Sequence, residues 1–133
     1  MKIKTLLVMV ACWLSLAMSA QTMAPKREFR GAWIQCVNGQ FQGMTPEKMQ
    51  SVLTSQLDAL QKAGINAIIF QVRAEADALY QSSYEPWSRF LSGKAGVAPI
   101  PTWDPLQFMI DECHARGMEL HAWLNPYRVT TSP

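Results

Sequence analysis

The chain has 133 residues, of which 49% are hydrophobic and 17% charged, a balance typical of one folded domain and not of a disordered segment. Its 12 Lys and Arg against 10 Asp and Glu give a formal net charge of +2, which argues against nucleic acid or an anionic membrane as the main partner. Three cysteines are too few for a disulfide framework.

Residues 1–20 have the features of a secretory signal peptide. Lys2 and Lys4 precede an apolar run over residues 6–18, and small residues follow it. The run is shorter than the roughly 20 residues of a membrane-spanning helix, so an N-terminal anchor is the weaker interpretation. We therefore predict an exported protein whose mature domain occupies residues 21–133. Cys12 leaves a lipid-anchored form as a minority alternative.

The mature part begins with a predicted strand and a predicted helix. Residues 29–35 are rich in aromatic and β-branched side chains, as strands are. A helix should begin after Thr45, because this residue can cap the first turn and Pro46 suits the first helical position. Gly64 supplies its left-handed end. The apolar side chains of the buried helix face follow the expected three-and-four spacing: Met49, Val52, Leu53, Leu57 and Leu60.

Two further strands and a second helix complete the pattern. Residues 65–73 are almost continuously apolar, which indicates a strand covered on both faces. A long irregular stretch, residues 74–102, separates this strand from a helix that should begin at the Asp-Pro pair of residues 104–105. Residues 118–125 form the third predicted strand.

The order strand, helix, strand, helix, strand predicts right-handed βαβ units and a parallel sheet. An open flavodoxin-like sheet and a (β/α)8 barrel are both built from this unit. A barrel needs roughly 250 residues and eight units, whereas this sequence has three predicted strands and two helices. If the parent fold is a barrel, the chain is its first portion.

Functional side chains of such folds gather where the strands end. Side chains alternate along a strand, so the polar and aromatic residues of each predicted strand share one face. Aromatic rings beside amides and a guanidinium suit sugars, because the rings contact CH-rich faces and the polar groups bind hydroxyls. The predicted pocket contains Trp33, Gln35, Gln71, Arg73, His121, Trp123 and Asn125.

The carboxylates are the second part of the predicted site, because glycoside hydrolysis normally requires two that flank the scissile bond. Glu75 and Asp77 directly follow the second strand, and Glu85 lies in the long loop. Glu119 lies at the wrong end of its strand for catalysis. An alternative of equal weight is purely structural, with Arg73 paired to Glu75 or Asp77.

Other chemistries have little support in the sequence. His114 and His121 show no recognised metal-ligand spacing, and neither a glycine-rich phosphate loop nor a serine nucleophile elbow occurs, so we expect no metal and no cofactor. His121 also has a structural interpretation, as a hydrogen-bonded strand residue. Cys36 and Cys113 are expected to be small buried groups.

Several blocks of sequence follow one another in a specific order. They are the Arg-Gly-Ala-Trp opening at 30–33 and the segments 64–73, 77–80, 85–88, 104–106 and 116–128. Together they resemble the glycosyl hydrolase-like 10 family over about residues 28–129. The resemblance implies an exported or lipid-anchored bacterial envelope protein with a TIM-barrel domain well over twice this length. Some members of that family act on peptidoglycan glycan strands.

The resemblance therefore implies an exported glycoside hydrolase of the periplasm or cell envelope, acting on O-glycosidic bonds of a glycan such as peptidoglycan strands. The expected fold is α/β, the N-terminal βαβαβ part of a (β/α)8 TIM barrel that stops after the third strand. A glycan is the expected partner, with no nucleic acid and no membrane beyond a lipid anchor. The alternatives are a non-catalytic carbohydrate-binding envelope protein and an inactive barrel fragment. The expected catalytic residue is Asp77, and the expected substrate-binding residues are Trp33, Gln71, Arg73, His121, Trp123, Asn125 and Arg128.

Overall fold

The computed structural model describes residues 28–130 of the chain. The predicted signal peptide, residues 1–20, lies outside the described residues. The order of the elements confirms the predicted alternation of strands and helices, with one addition, a single helical turn inside the stretch expected to be irregular. The elements are β1 (Gly31–Ile34), α1 (Pro46–Lys62), β2 (Ala67–Arg73), α2 (Arg89–Ser92), α3 (Pro105–Ala115) and β3 (Glu119–Leu124).

The three strands form one parallel sheet in the order β1-β2-β3, as predicted. Ile68 in the central strand lies opposite Ala32 on one side and opposite Leu120 on the other. The register shifts near the end of β2, between Gln71 and Arg73. This α/β arrangement is consistent with the N-terminal βαβαβ part of a TIM barrel.

The two long helices begin where the sequence places their caps. The Thr45 hydroxyl accepts the backbone N–H of Lys48 at 3.3 Å, and the Asp104 carboxylate accepts that of Gln107 at 3.0 Å. Each cap satisfies one of the backbone donors that a helix leaves unpaired at its start. Gly64 follows α1 with a φ of +82°, a left-handed conformation that glycine adopts without steric cost.

One face of the sheet carries the hydrophobic core. Ile68, Phe70 and Val72 are buried, and α3 and β3 pack closely together on that side. Burying a side chain of this size stabilises the fold by about 1.5–3 kcal/mol relative to leaving it exposed. The helices contribute the complementary buried residues, which are Met49, Leu53, Leu57, Met109 and Cys113.

The opposite face of the sheet is the one predicted to carry the polar and aromatic side chains. Trp33 lies on it with 66% of its surface exposed, and its ring contacts that of Trp123 on β3. His121 lies two residues before Trp123 on the same face and contacts Phe29. The predicted division into a core face and an open face is therefore confirmed for β1, whereas on β3 Ala122 and Leu124, predicted to face the core, are exposed.

The long loop, residues 74–102, folds back against the end of β2. The N–H of Leu79 donates to the carbonyl of Val72 at 2.9 Å, and the N–H of Ala78 donates to the carbonyl of Pro86 at the same distance. Leu79 is buried in the core. These contacts fix the loop at the carboxyl edge of the sheet, where functional residues of α/β folds are found.

Truncating a buried leucine of α1 tests this assignment of the core. We expect Leu53→Ala to lower the free energy of unfolding by about 2–5 kcal/mol, because it leaves a cavity against β2. Leu124→Ala, at a half-exposed leucine, is the matched control and should cost less than about 1 kcal/mol. Urea unfolding followed by circular dichroism measures both, and equal losses would contradict the assignment.

Candidate functional site

Two tryptophans form the aromatic part of the candidate site. The rings of Trp33 and Trp123 meet edge to face, with centroids 5.0 Å apart and an interplanar angle of 85°. The indole N–H of Trp123 donates to the side-chain oxygen of Asn125 at 2.9 Å, which fixes the ring orientation. A cleft of about 620 Å³ lies along β1 beside these rings. The polar side chains that line it are the amides Gln35, Gln40 and Gln56.

Gln71 belongs to the predicted pocket and is buried beneath it. Its side-chain oxygen accepts the backbone N–H of Cys36 at 3.0 Å. The Cys36 thiol lies 3.5 Å from the same oxygen. Gln71 therefore connects β2 to the segment that follows β1, and this contact occupies its acceptor oxygen.

His121 lies closer to the amino end of β3 than Trp123 does, at the same level of the sheet as Trp33. Its Nε2 is 3.2 Å from a carboxylate oxygen of Glu119, and its ring meets Phe29 edge to face at 5.4 Å. The side chain is about half exposed on the open face. The structure thus brings His121 to the same face as Trp123, beside an acidic residue.

Arg73 ends β2 and joins two other parts of the chain. Its Nε donates to Glu85 Oε1 at 2.6 Å, and its Nη1 donates to the backbone carbonyl of Asn125. The sequence-based alternative expected a pair with Glu75 or Asp77, and that expectation is wrong about the partner. The loop brings Glu85 back to the end of β2, a return that local sequence patterns do not encode.

Glu75 pairs with a different arginine. Both of its carboxylate oxygens accept hydrogen bonds from Arg89, at 2.8 and 3.0 Å. This two-point geometry is the strongest common form of ion pair between these residue types. The Arg89 guanidinium also lies 4.5 Å from the centre of the Phe90 ring. The pair thereby holds α2 and the long loop against the end of β2.

Asp77, the predicted catalytic acid, is buried in the turn that follows β2. Its Oδ1 accepts the backbone N–H groups of Ala74 and Glu75, at 3.1 and 2.8 Å. Ala76, between them, has a φ of +28°, which is unusual for a residue with a side chain. One oxygen of Asp77 therefore stabilises the backbone of a tight turn.

Asn125 stands at the centre of the site. Its side-chain nitrogen donates to the carbonyl of Ala74 at 3.2 Å, and its backbone N–H donates to the carbonyl of Arg73 at 3.0 Å. The turn and β3 are joined again at Arg128, whose carbonyl accepts the N–H of Ala76 at 3.0 Å. The Arg128 residue is exposed at this edge.

Five of the eight predicted site residues therefore lie around one corner of the sheet, where β2 and β3 end, and Trp33 on β1 contacts one of them, Trp123. Gln71 is buried beneath that corner and His121 lies away from it. Sequence reasoning missed the role of Arg89 and the partner of Arg73. The sequence signals for Glu85 were its place in a long loop rich in aromatic residues and in the family-like block 85–88.

Both cysteines of the described region are buried and unpaired, as predicted. Burial raises the pKa of Cys36 from 9.0 to about 12, and the nearby Asp77 carboxylate acts in the same direction. Burial also raises the pKa of Cys113, to about 11. Within residues 28–130, no group of three or more His, Cys, Asp or Glu side chains is arranged to hold a metal ion. No helix in that range is long and apolar enough to cross a membrane.

Comparison with known proteins places this geometry in context. The sequence model of the family described as glycosyl hydrolase-like 10 matches residues 28–132. The chain belongs to this family. The match covers every described element of the sheet and both long helices. It confirms the resemblance drawn from the sequence blocks.

Two curated proteins are similar in sequence to this chain over part of their own length. The glycosyl hydrolase YngK of Bacillus subtilis (strain 168) is 44% identical over 108 residues, which are 78% of this chain and 21% of that protein. The glycosyl hydrolase DigH of Escherichia coli (strain K12) is 49% identical over 83 residues, which are 62% of this chain and 18% of that protein. The chain spans about a fifth of the length of these relatives.

The raised pKa of Cys36 predicts a loss of stability at alkaline pH. A thiol that ionises near pH 9 in the unfolded chain and near pH 12 in the folded protein favours folding below pH 9. Between these two values we expect the free energy of unfolding to fall with rising pH, by up to about 1.4 kcal/mol per pH unit.

Urea unfolding at pH 8, 9, 10 and 11 measures this slope. Wild type should have the steepest decline, and Cys36→Ala a shallower one. Cys113→Ala removes the other buried thiol, whose pKa is about 11, and its decline up to pH 11 should likewise be shallower than that of wild type. Identical slopes for wild type and Cys36→Ala would show that the Cys36 thiol makes no such contribution.

Proposed function

We propose that this member of the glycosyl hydrolase-like 10 family acts on O-glycosidic bonds of a bacterial envelope glycan, such as peptidoglycan strands. The observation that carries the proposal is the edge-to-face pair of tryptophans, in which Asn125, just after β3, fixes the Trp123 ring. The family description and the names of both relatives support the glycoside hydrolase part.

The aromatic pair favours a sugar as ligand. A pyranose presents CH groups on its faces, and these pack against an aromatic ring while the hydroxyls bind polar groups at its edge. Trp33 offers an exposed ring, and Trp123 is held in one orientation by Asn125. Because the orientation is fixed before binding, the ligand does not have to order this side chain.

The proposed polar contacts come from the ends of β2 and β3. Asp77 is our proposed catalytic acid, with one oxygen on the turn and a position beside Glu75. Asn125 and Arg128 are proposed to lie along the bound glycan, and Arg73 to hold the ends of β2 and β3 in place beside it. Support comes from the carboxylates after β2, because glycoside hydrolysis uses two carboxylates that flank the scissile bond.

Export to the cell envelope is part of the same proposal. It is supported by the charged start, the short apolar run and the small residues of positions 1–20. A glycan of the envelope is then the polymer that the protein would meet. Antibody detection in periplasmic and cytoplasmic fractions, with a Lys2→Glu, Lys4→Glu double variant as the comparison, tests this part.

The alternative is a non-catalytic protein that binds carbohydrate. The aromatic cleft favours binding independently of any chemistry, because its lining amides and rings carry no catalytic group. The two functions differ in one observable. Hydrolysis generates new reducing ends, whereas binding retains the glycan without product.

Incubation with peptide-free glycan strands tests the proposal. We expect wild type to retain the strands and to release shorter products, detected by liquid chromatography and mass spectrometry. Trp123→Ala should weaken retention about tenfold, because it removes a stacking ring worth about 1.4 kcal/mol or more.

The control is Ile100→Ala, at an exposed apolar residue of the long loop outside the cleft. It should retain glycan as wild type does. Retention without product would favour the non-catalytic alternative, and equal retention by wild type and Trp123→Ala would remove the aromatic pair from the site.

A further inference from the structure

Three carboxylates follow β2, and their surroundings differ. Glu75 is buried, and both of its oxygens bind Arg89. Asp77 is buried, and its Oδ1 binds two backbone N–H groups. Glu85 is the most accessible of the three, with 25% of its side chain exposed and Oε1 bound to Arg73. Its second oxygen has no hydrogen bond within residues 28–130.

Glu85 is also connected to the aromatic part of the site. The guanidinium of Arg73 contacts the Glu85 carboxylate through Nε and the carbonyl of Asn125 through Nη1. Asn125 in turn accepts the indole N–H of Trp123. The backbone and the side chain of Asn125 therefore link the long loop, through Arg73, to the tryptophan that lines the cleft.

We propose that Glu85 is a substrate-contacting carboxylate of this site and that Arg73 is its positioning residue. The inference rests on the proposed glycan function and identifies residues that it requires. The free oxygen of Glu85 accepts hydrogen bonds from sugar hydroxyls. A carboxylate forms stronger hydrogen bonds with hydroxyl donors than a neutral amide does.

Arg73 acts through Glu85 and not on the ligand. Its Nε binds Glu85 of the long loop, and its Nη1 binds the carbonyl of Asn125 just after β3. The planar guanidinium therefore holds both residues at fixed positions. Lysine at this position carries the charge but lacks the planar fork, so its single nitrogen cannot reproduce the geometry that joins both partners. The side chain of Arg73 is only 16% exposed, which leaves it little surface for a ligand.

The chain contains a matched control for the loss of such an ion pair. Glu112 pairs with Arg116 at 2.7 Å, and the side-chain exposures are 30% and 15%. The Arg73–Glu85 pair has nearly the same separation and exposure. Glu112 lies on α3 and takes no part in the proposed site, so Glu112→Gln reports the structural cost of breaking a similar pair.

The experiment measures binding of soluble peptide-free glycan strands by calorimetry with the full chain. We expect Glu85→Gln to weaken binding about tenfold, Arg73→Lys to weaken it by a smaller factor, and Glu112→Gln to leave it unchanged. The thermal midpoint should fall in both variants, and by less in Glu112→Gln, because Arg116 keeps its second carboxylate partner, Asp58.

A second readout does not depend on variants. Carbodiimide-driven tagging of carboxylates, mapped by mass spectrometry, should modify Glu85 faster than Glu75 or Asp77. Bound glycan should slow tagging of Glu85 and leave that of Glu112 unchanged. A merely structural Glu85 would show no such protection.

Two failures are distinguishable. If wild type binds glycan and Glu85→Gln binds it equally well, or if glycan does not protect Glu85, the role of Glu85 is overturned and the proposed function stands. If wild type neither binds nor cleaves glycan, the proposed function fails, and the role of Glu85 fails with it.

Discussion

The central position of β2 is the constraint on which the rest of the structure depends. Its backbone pairs with both neighbouring strands, and Ile68, Phe70 and Val72 fill the core on one side. A strand held in this way cannot shift its register without moving core side chains to the opposite face. Its last residue, Arg73, is therefore fixed in space, and it meets Asn125 because the parallel strand β3 ends at the same edge.

The sequence predicted the framework because its signals are local. Thr45 and Asp104 each precede a proline, and each caps a helix in the structure. Strand alternation correctly placed Trp33 and Trp123 on one face. Their contact follows from two short-range rules combined, the period of two along a strand and the parallel pairing of consecutive βαβ units. The core and the aromatic pair of the site could thus be predicted from the sequence alone.

The polar contacts of the site could not be predicted from the sequence, because they depend on how residues 74–102 fold back against the sheet. The predicted partners of Arg73 were its neighbours in sequence, Glu75 and Asp77, whereas the actual partner is 12 positions away. Nearby carboxylates are engaged elsewhere, Glu75 by Arg89 and Asp77 by the turn. A buried charged side chain needs an oppositely charged or hydrogen-bonding partner. The sequence of this region allows several pairings of its charged residues that meet this requirement. Loop geometry selects among them.

The hydrogen bond between Gln71 and Cys36 shows how β1 can leave the sheet at this corner. Backbone pairing between β1 and β2 stops at Ile34 and Phe70, yet the next buried N–H still needs an acceptor. The side-chain oxygen of Gln71 accepts the backbone N–H of Cys36. One more hydrogen bond therefore joins the two segments, although β1 itself has ended. The main chain after Ile34 is then free to turn away, and the mouth of the cleft beside Trp33 stays open. The Gln71 side chain thus allows the pairing of β1 with β2 to end beside the opening of the cleft.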